Sequence, residues 1–361
     1  MSSTPSTSTG PKFHFGLILG IATGAVIAGA ACFYWVKAAN APLNRHEKIA
    51  ILTWNQAPFW DPVEKGATEA AKDMGIDLTF VRSEPDVDSQ NRHIQELLDS
   101  GIGALAICPN NPTRQKDILN QAAGKVILTT FDSDAPNTQR RGYAGTNNYE
   151  AGQVAGAQVR DAIPDGGQVL VCVGSIDQTS GRDRRQGLID NLLDRHFEEV
   201  HIYDAIDAPL QGDKYQIVKT VTDGGDTNQC LDLLQDAIKA NPDLKCIVGL
   251  NGYSGDVAVK AVAAAGKQGQ IKIIGFDESA QEQADVASGA IYSSIIQSQY
   301  VCGYETVRML DDCLRDAGQN APAHARLIEF PVSVMKANNM QTMREQGSIR
   351  TPDTTMPTTM P

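Results

Sequence analysis

Positive charge is in short supply in this 361-residue sequence: 31 Lys and Arg stand against 43 Asp and Glu, for a formal net charge of −12. A surface that neutralises nucleic-acid phosphates needs clustered cations, so nucleic acid is excluded as the main partner. Nucleotide signatures are missing as well, with no G-x-x-x-x-G-K-[ST] loop and no G-x-G-x-x-G after a candidate strand. The six histidines (His14, His46, His93, His196, His201 and His324) show neither H-x-x-x-H nor H-x-H spacing. The seven cysteines include no C-x-x-C pair, so neither a local zinc motif nor a disulfide framework is written in the chain. Gly252-Tyr253-Ser254-Gly255 falls one residue short of a nucleophile elbow. The chain is therefore expected not to be an enzyme, and no cofactor or metal is expected.

Acidic residues are absent from the first 46 positions; the first is Glu47. Inside that segment residues 15–36 form an uncharged, mostly apolar run, about 33 Å long as a helix and long enough to span a bilayer core. A secretory signal usually has an apolar stretch of about 7–15 residues, so this run suits a retained anchor as well as a cleaved signal. Ala39-Asn40-Ala41 offers a small-x-small cleavage site, with Pro42 behind it. Residues 1–46 are thus an N-terminal signal peptide or membrane anchor, and the remainder is predicted to be periplasmic or otherwise extracytoplasmic. At the other end, residues 347–361 are read as a disordered tail, because Thr351 to Pro361 hold only Thr, Pro, Met and one Asp.

What lies between is rich enough to fold, since the chain is 42% hydrophobic and 20% charged, and long enough for two domains. Continuous apolar runs at 49–54, 78–81, 104–108 and 126–131 alternate with helical patterns at 61–74, 89–99 and 113–123. Asp61-Pro62-Val63-Glu64 predicts an N-cap, a first-turn proline and a capping-box glutamate, and Gly75 predicts the stop. A second series begins near Asn148, with strands at 169–173, 245–250, 271–276 and 291–296 and helices near 182–195, 228–239 and 254–265. Such alternation means α/β architecture, parallel sheets covered by helices on both faces. About ten strands, and the recurrence of Phe131-Asp132 as Phe276-Asp277, point to two sheets. Cys108, Cys172 and Cys246 sit within strand runs as small hydrophobes, and Cys302 and Cys313 are about 16 Å apart on a helix, too far to bridge.

Ligands of open α/β sheets bind beyond the carboxyl ends of the strands. Those ends carry Asn55 with Phe59 and Trp60, then Asp132-Ser133-Asp134, the Arg182–Arg185 group, Asn251, Asp277 and Gln297. Two aromatic faces with carboxylates, a guanidinium and amides are what a sugar demands: its C–H faces pack on rings, and its hydroxyls both donate and accept. Each residue alone has a structural reading. Phe59 and Trp60 can staple a helix, Asp132 and Asp277 can cap or turn, and Asp223 to Asn228 reads as a turn and helix cap.

From about Lys48 to Asn339 the order of short phrases resembles the ribose-binding-like branch of the type I periplasmic sugar-binding proteins, the solute receptors of ABC importers. The phrases are the one from Asn55 to Trp60, Ala106-Ile107-Cys108-Pro109-Asn110, Thr130-Phe131-Asp132-Ser133-Asp134, Gly145-Thr146-Asn147-Asn148 with Ala151-Gly152, Gly249-Leu250-Asn251, Ile274-Gly275-Phe276-Asp277 and Pro331-Val332. The resemblance implies two Rossmann-like lobes, residues 47–146 plus 298–333 and residues 147–297 plus 334–346. Three crossings would join them near Thr146/Asn147, Gln297/Ser298 and Ser333/Val334. It also implies that Phe59 and Trp60 stack on the sugar while Asn55, Asp132, Arg184, Asn251, Asp277 and Gln297 bind hydroxyls and the ring oxygen.

Two departures bear on the ligand. Ser133 stands where ribose binders have Arg, with Asp134 adding an acid, and the Gly224-Gly225 turn stands where many have a third aromatic. Both imply a roomier, more acidic pocket, compatible with a pentose, hexose, polyol or amino sugar. The expected function is an extracytoplasmic carbohydrate receptor that closes by a hinge and delivers its ligand to an ABC permease in the cytoplasmic membrane. The alternative is a tethered sensor that hands its closed state to a chemoreceptor or kinase. A repressor of the same fold would need a helix-turn-helix of about 50–60 residues ahead of the core, where this sequence has its apolar run.

Overall fold

A computed structural model describes residues 47–195, 203–316 and 325–349. The N-terminal apolar run, its candidate cleavage site and residues 350–361 of the expected tail lie outside the described residues. The start of that tail is corrected, because Ile349 is buried in a hydrophobic core with Met340 and Met343. The strands of the first lobe are Lys48–Leu52 (β1), Asp77–Val81 (β2), Ala104–Ile107 (β3), Ile127–Phe131 (β4), Gly142–Thr146 (β5) and, from much later in the chain, Arg326–Phe330 (β12). They lie in the order β12-β5-β4-β3-β1-β2, every pair parallel. Helices Trp60–Met74 (α1), Val87–Asp99 (α2), Lys116–Ala123 (α3) and Gln299–Asp316 (α9) cover this sheet. The second lobe has Gly167–Val173 (β6), Leu210–Gln211 (β7), Tyr215–Thr222 (β8), Leu244–Gly249 (β9), Lys272–Phe276 (β10), Ser293–Ile296 (β11) and Ser333–Met335 (β13). Their order is β13-β11-β10-β9-β6-β8-β7, antiparallel only at the two edges. Asn148–Ala162 (α4), Thr179–Leu192 (α5), Thr227–Ala240 (α6), Ser254–Ala264 (α7), Ala280–Ser288 (α8) and Met340–Glu345 (α10) complete it.

Central strands are buried on both faces, which is why they read as unbroken apolar runs: Ile49, Ala50, Ile51 and Leu52 in β1, and all of β3, have no exposed surface. The strands that sequence pattern missed lack that signal. Gly-Tyr-Ala-Gly-Thr in β5 is small and glycine-rich, β8 carries Lys219, and β12 is an edge strand whose side chains alternate between half-buried and exposed. β1 also ends two residues earlier than expected, at Leu52, which releases Thr53 and Trp54 into the following loop.

The first turn of α1 differs from its sequence reading. The helix begins at Trp60, with no side-chain cap, and Asp61 and Glu64 bind Arg82 at 2.9 and 2.6 Å instead of closing a capping box. A basic partner folded beside the turn outcompetes the local backbone N–H groups. Gly75 ends the helix in the left-handed conformation, φ 68°.

The chain passes between lobes after β5, after β11 and after β12. The third passage falls at residues 331–332 and not at Ser333/Val334, because Ser333 already pairs with Ile296 in the second sheet. Thr146 Oγ1 donates to Gln297 Oε1 at 2.8 Å, and Asn147 Nδ2 to Glu329 Oε2 at 3.3 Å, so hydrogen bonds tie all three passages together.

In the second lobe α4 and α5 cross almost backbone to backbone. A Cβ on Gly152 would stand 2.0 Å from the Arg184 carbonyl, and one on Gly187 would stand 2.0 Å from that of Tyr149. This close approach carries Arg184 to the mouth of the sheet.

Candidate ligand-binding cleft

Two aspartates occupy equivalent places in the two lobes. Asp132 follows β4 and Asp277 follows β10, and each N–H reaches the neighbouring strand, Ala144 O at 3.1 Å and Ile295 O at 2.7 Å. Both have left-handed backbones, φ 59° and 68°, a conformation that aspartate tolerates better than most residues. The repeated Phe-Asp phrase is thus a repeated bend that turns a carboxylate off the end of each sheet.

Arg184, on the first turns of α5, is 4% exposed and spends its guanidinium on neutral acceptors. Nε donates to Asn148 Oδ1 at 2.8 Å, Nη1 to Leu250 O at 3.0 Å and Nη2 to Gln297 Oε1 at 2.7 Å, while the group lies 4.3 Å from the centre of the Phe276 ring. Gln297 completes the chain, its Nε2 donating to Asp277 Oδ1 at 2.8 Å. Neither Asp132 nor Asp277 has an ion pair within 4 Å among the described residues. Burial pushes both carboxyls up, Asp277 to about 6, against the pull of Arg184 on both and of Gln297 on Asp277; the Asp132 charge pushes Asp277 further up. The Cys108 thiol donates to Asp132 Oδ2 at 3.3 Å, a weak stabilisation of its charge.

Asp132 and Gln297 open on a narrow cavity that is also lined by Phe59, Val63, Thr146, Ser298, Gln299 and Cys302, with room inside for about one water molecule. Phe59 forms part of its wall. Trp60 does not, and the expectation that it stacks on a ligand is corrected. Its side chain has no exposed surface, sits edge-on to Phe59 and Phe131 with centroids 4.8 and 5.7 Å away, and gives its indole N–H to Asn55 Oδ1 at 2.6 Å. It holds Phe59 from behind. Asn55 is likewise engaged locally, accepting from Trp60 and from the Ala57 N–H at 3.1 Å, so its amide NH2 is the group left to offer. Asn251 is in the same position in the other lobe, with Oδ1 taken by the Gly174 N–H at 2.7 Å.

The division between Phe59 and Trp60 sets an expectation. Phe59→Ala should weaken sugar binding about tenfold or more with modest loss of stability. Trp60→Ala should cost about 3–5 kcal/mol of stability by emptying the core behind it. Chemical denaturation and calorimetry on both variants separate the two effects, and equal loss of affinity without destabilisation for Trp60→Ala would contradict the assignment.

Sequence reasoning missed several residues. Trp54, taken as the end of a strand, reaches across the cleft: a Cβ on Gly225 would stand 3.3 Å from its ring. The aromatic absent from the second lobe at the Gly224-Gly225 turn is thus faced by one from the first, and the pocket is less roomy there than the glycines suggest. Nor does Asp134 add free acid, since Arg140 holds it with Nε and Nη2, both at 2.5 Å. Ser133 bridges to the start of α5, with Oγ 3.3 Å from Thr179 Oγ1 and accepting the Ser180 N–H at 3.3 Å, and Thr179 also donates to the Asp134 carbonyl. Asn148 and Tyr143 brace the Asp132 carbonyl at 3.3 and 3.1 Å. The only signal for these was proximity to strand ends. Arg185, a member of the strand-end arginine group, is buried against Thr220 and the carbonyls of Asp204 and Ala205.

A periplasmic binding protein domain matches residues 49–319, three quarters of the chain. The chain belongs to the type I periplasmic sugar-binding proteins. The ribose import binding protein of Bacillus subtilis is 23% identical over 283 residues, 78% of this chain and 86% of that one. The D-ribose/D-allose-binding protein of Pseudomonas aeruginosa is 24% identical over 329 residues, 86% and 96%. An ABC-transporter solute-binding protein of Burkholderia graminis, solved with D-arabinose, has a TM-score of 0.73 at 22% identity, covering 82% of this chain and 97% of that one. The last likeness speaks for the fold. Among the described residues no helix is long and apolar enough to cross a membrane.

Proposed function

We propose that this chain is the extracytoplasmic receptor of an ABC importer, closing over a monosaccharide-like carbohydrate and presenting it to a membrane permease. The observation that carries the reading is the pair of carboxylates on matching bends of two lobes, with one guanidinium and one bridging amide between them and Phe59 as a wall. Sugar hydroxyls donate to Asp132 and Asp277 and accept from the unspent N–H groups of Arg184, Asn55 and Asn251. No covalent step is involved. Closure is the response: contacts such as Ser133 with Thr179 and Ser180 form only when the lobes meet, so a ligand touching both lobes shifts the population toward the closed state.

Titration follows from the same carboxyls. Hydroxyl donors favour the ionised form of Asp277, so affinity should fall about tenfold between pH 7 and pH 5 as a group with pKa about 6 takes up its proton. Stability of the ligand-free protein should move the other way. Asp277 and Asp256 are both raised to about 6, and Glu282 is raised, by burial. A folded pKa above the unfolded one gives stability that is full below the unfolded value and is lost as pH rises through the folded one. The unfolding temperature should therefore drop from pH 5 to pH 7, and a rise across that window contradicts the assignment.

The transport reading is tested by reconstituting the purified receptor with its permease in proteoliposomes. Sugar-loaded receptor should stimulate ATP hydrolysis by the permease. Sugar binding without stimulation favours the sensor alternative, which uses the same cleft and a different listener.

A further inference from the structure

Behind the cleft wall of the second lobe three side chains from three elements meet without a role in sugar binding. Cys172 of β6, Cys230 of α6 and Asp223 from the turn between β8 and α6 are all buried, none more than 1% exposed, and their ligand atoms lie within 4.8 Å of one another. The sulfurs of Cys172 and Cys230 are 3.3 Å apart, and Cys172 Sγ is 3.5 Å from Asp223 Oδ2. We propose that Cys172, Cys230 and Asp223 form a binding site for a thiophilic divalent cation of the zinc class.

Three features of the geometry support a metal site. Asp223 Oδ1 is already held, by the Tyr253 hydroxyl and by the Gly225 N–H at 2.8 Å, which turns Oδ2 toward the sulfurs. Donors on the far oxygen of a ligating carboxylate are the usual means of fixing its orientation. Second, two thiolates on a tetrahedral zinc, each about 2.3 Å from it, stand about 3.8 Å apart. The sulfur separation here is nearer to that than to the roughly 2.05 Å of a disulfide. Third, a disulfide would remove the Cys172 S–H from Asp223 Oδ2 and leave that buried oxygen without its donor, whereas a cation satisfies all three groups at once. Two thiolates and one carboxylate suit zinc or its analogues and not magnesium or calcium, which take oxygen ligands only. Binding replaces the two thiol protons, which leave to solvent, and no electron moves. Asp223 opens the Asp223-Gly224-Gly225 turn, in which Gly224 is exposed, so the cluster lies directly beneath a surface turn. Because Gly225 faces Trp54 across the cleft, the cation would also stiffen the turn against which the lobes close.

The test is titration of the reduced, metal-stripped protein with Co2+ alone, read by absorption. One equivalent should produce a thiolate-to-cobalt charge-transfer band with the visible bands of a tetrahedral ion, and Zn2+ should displace it and raise the unfolding temperature. Cys230→Ser should weaken Co2+ binding at least a hundredfold, and Tyr253→Phe about 10- to 100-fold. Cys246→Ser, a buried thiol outside the cluster, should keep the band. A wild type that gives no such band, a band that survives Cys230→Ser, or protein isolated with Cys172 and Cys230 cross-linked and lighter by two hydrogens would each overturn the proposal.

Discussion

Arg184→Met is expected to weaken carbohydrate binding at least a hundredfold and to lower the unfolding temperature by several degrees. The methionine fills much of the space over Phe276, so the loss reads out charge and hydrogen bonds more than volume. Without the guanidinium, Asn148 Oδ1, the Leu250 carbonyl and Gln297 Oε1 each lose a buried donor, at about 1–3 kcal/mol apiece where water cannot replace it. Asp132 and Asp277 lose the cation that opposes their desolvation, so both carboxyls rise further toward the neutral form. A ligand that needs ionised acceptors then meets two carboxyls that are harder to ionise. Calorimetric titration and thermal unfolding of the variant check both halves. Affinity within threefold of wild type would remove Arg184 from the site and leave it a structural residue of the second lobe.

Asp277→Asn is expected to do two opposite things: weaken binding by about ten- to a hundredfold and raise the stability of the ligand-free protein near neutral pH. The carboxylate is buried with a raised pKa, so removing its charge relieves a cost that the ligand-free fold carries above pH 6. Asparagine tolerates φ 68° and still offers a carbonyl oxygen to the Gln297 amide, so the local frame survives. The pH dependence of affinity between 5 and 7 should flatten in the same variant. Asp277→Ala should lose at least tenfold in affinity without gaining stability, because a left-handed backbone disfavours alanine by about 1–2 kcal/mol and Gln297 loses its acceptor. Unfolding curves at pH 5 and 7.5 distinguish the two substitutions. Stabilisation of the Asn variant with undiminished affinity would mean that Asp277 carries only a folding burden.

The architecture was legible because doubly covered parallel strands must be continuously apolar. Residues such as Ile49 to Leu52 and Ala104 to Ile107 have no solvent face on which a polar residue could alternate. Edge strands β7, β12 and β13 have such a face or are too short to show a period, and they went unread. Of the site, the residues at strand ends were legible by position alone, since topology sends every strand end of one lobe toward the other. Their divisions of labour were not. Phe59 and Trp60 are adjacent in sequence, and only the packing of α1 on Phe131 decides which ring faces the cleft. Asp134 looked like a pocket acid until Arg140 closed on it from a loop six residues away. Trp54 was hidden by its own hydrophobicity, which extended the apparent strand. The Cys172, Asp223 and Cys230 cluster leaves no trace in local spacing, because its members are joined by the pairing of β6 with β8 and the packing of α6.

The most direct measurement is a thermal-shift screen of the ligand-free protein against pentoses, hexoses, polyols, amino sugars and inositols. A ligand at a hundred times its dissociation constant stabilises by about 2.7 kcal/mol, a shift of a few degrees for lobes of this size. One sugar giving such a shift in the wild type, and losing it in Arg184→Met, is the predicted result. Silence across the panel from folded, ligand-free protein would contradict the claim that this cleft closes on a monosaccharide.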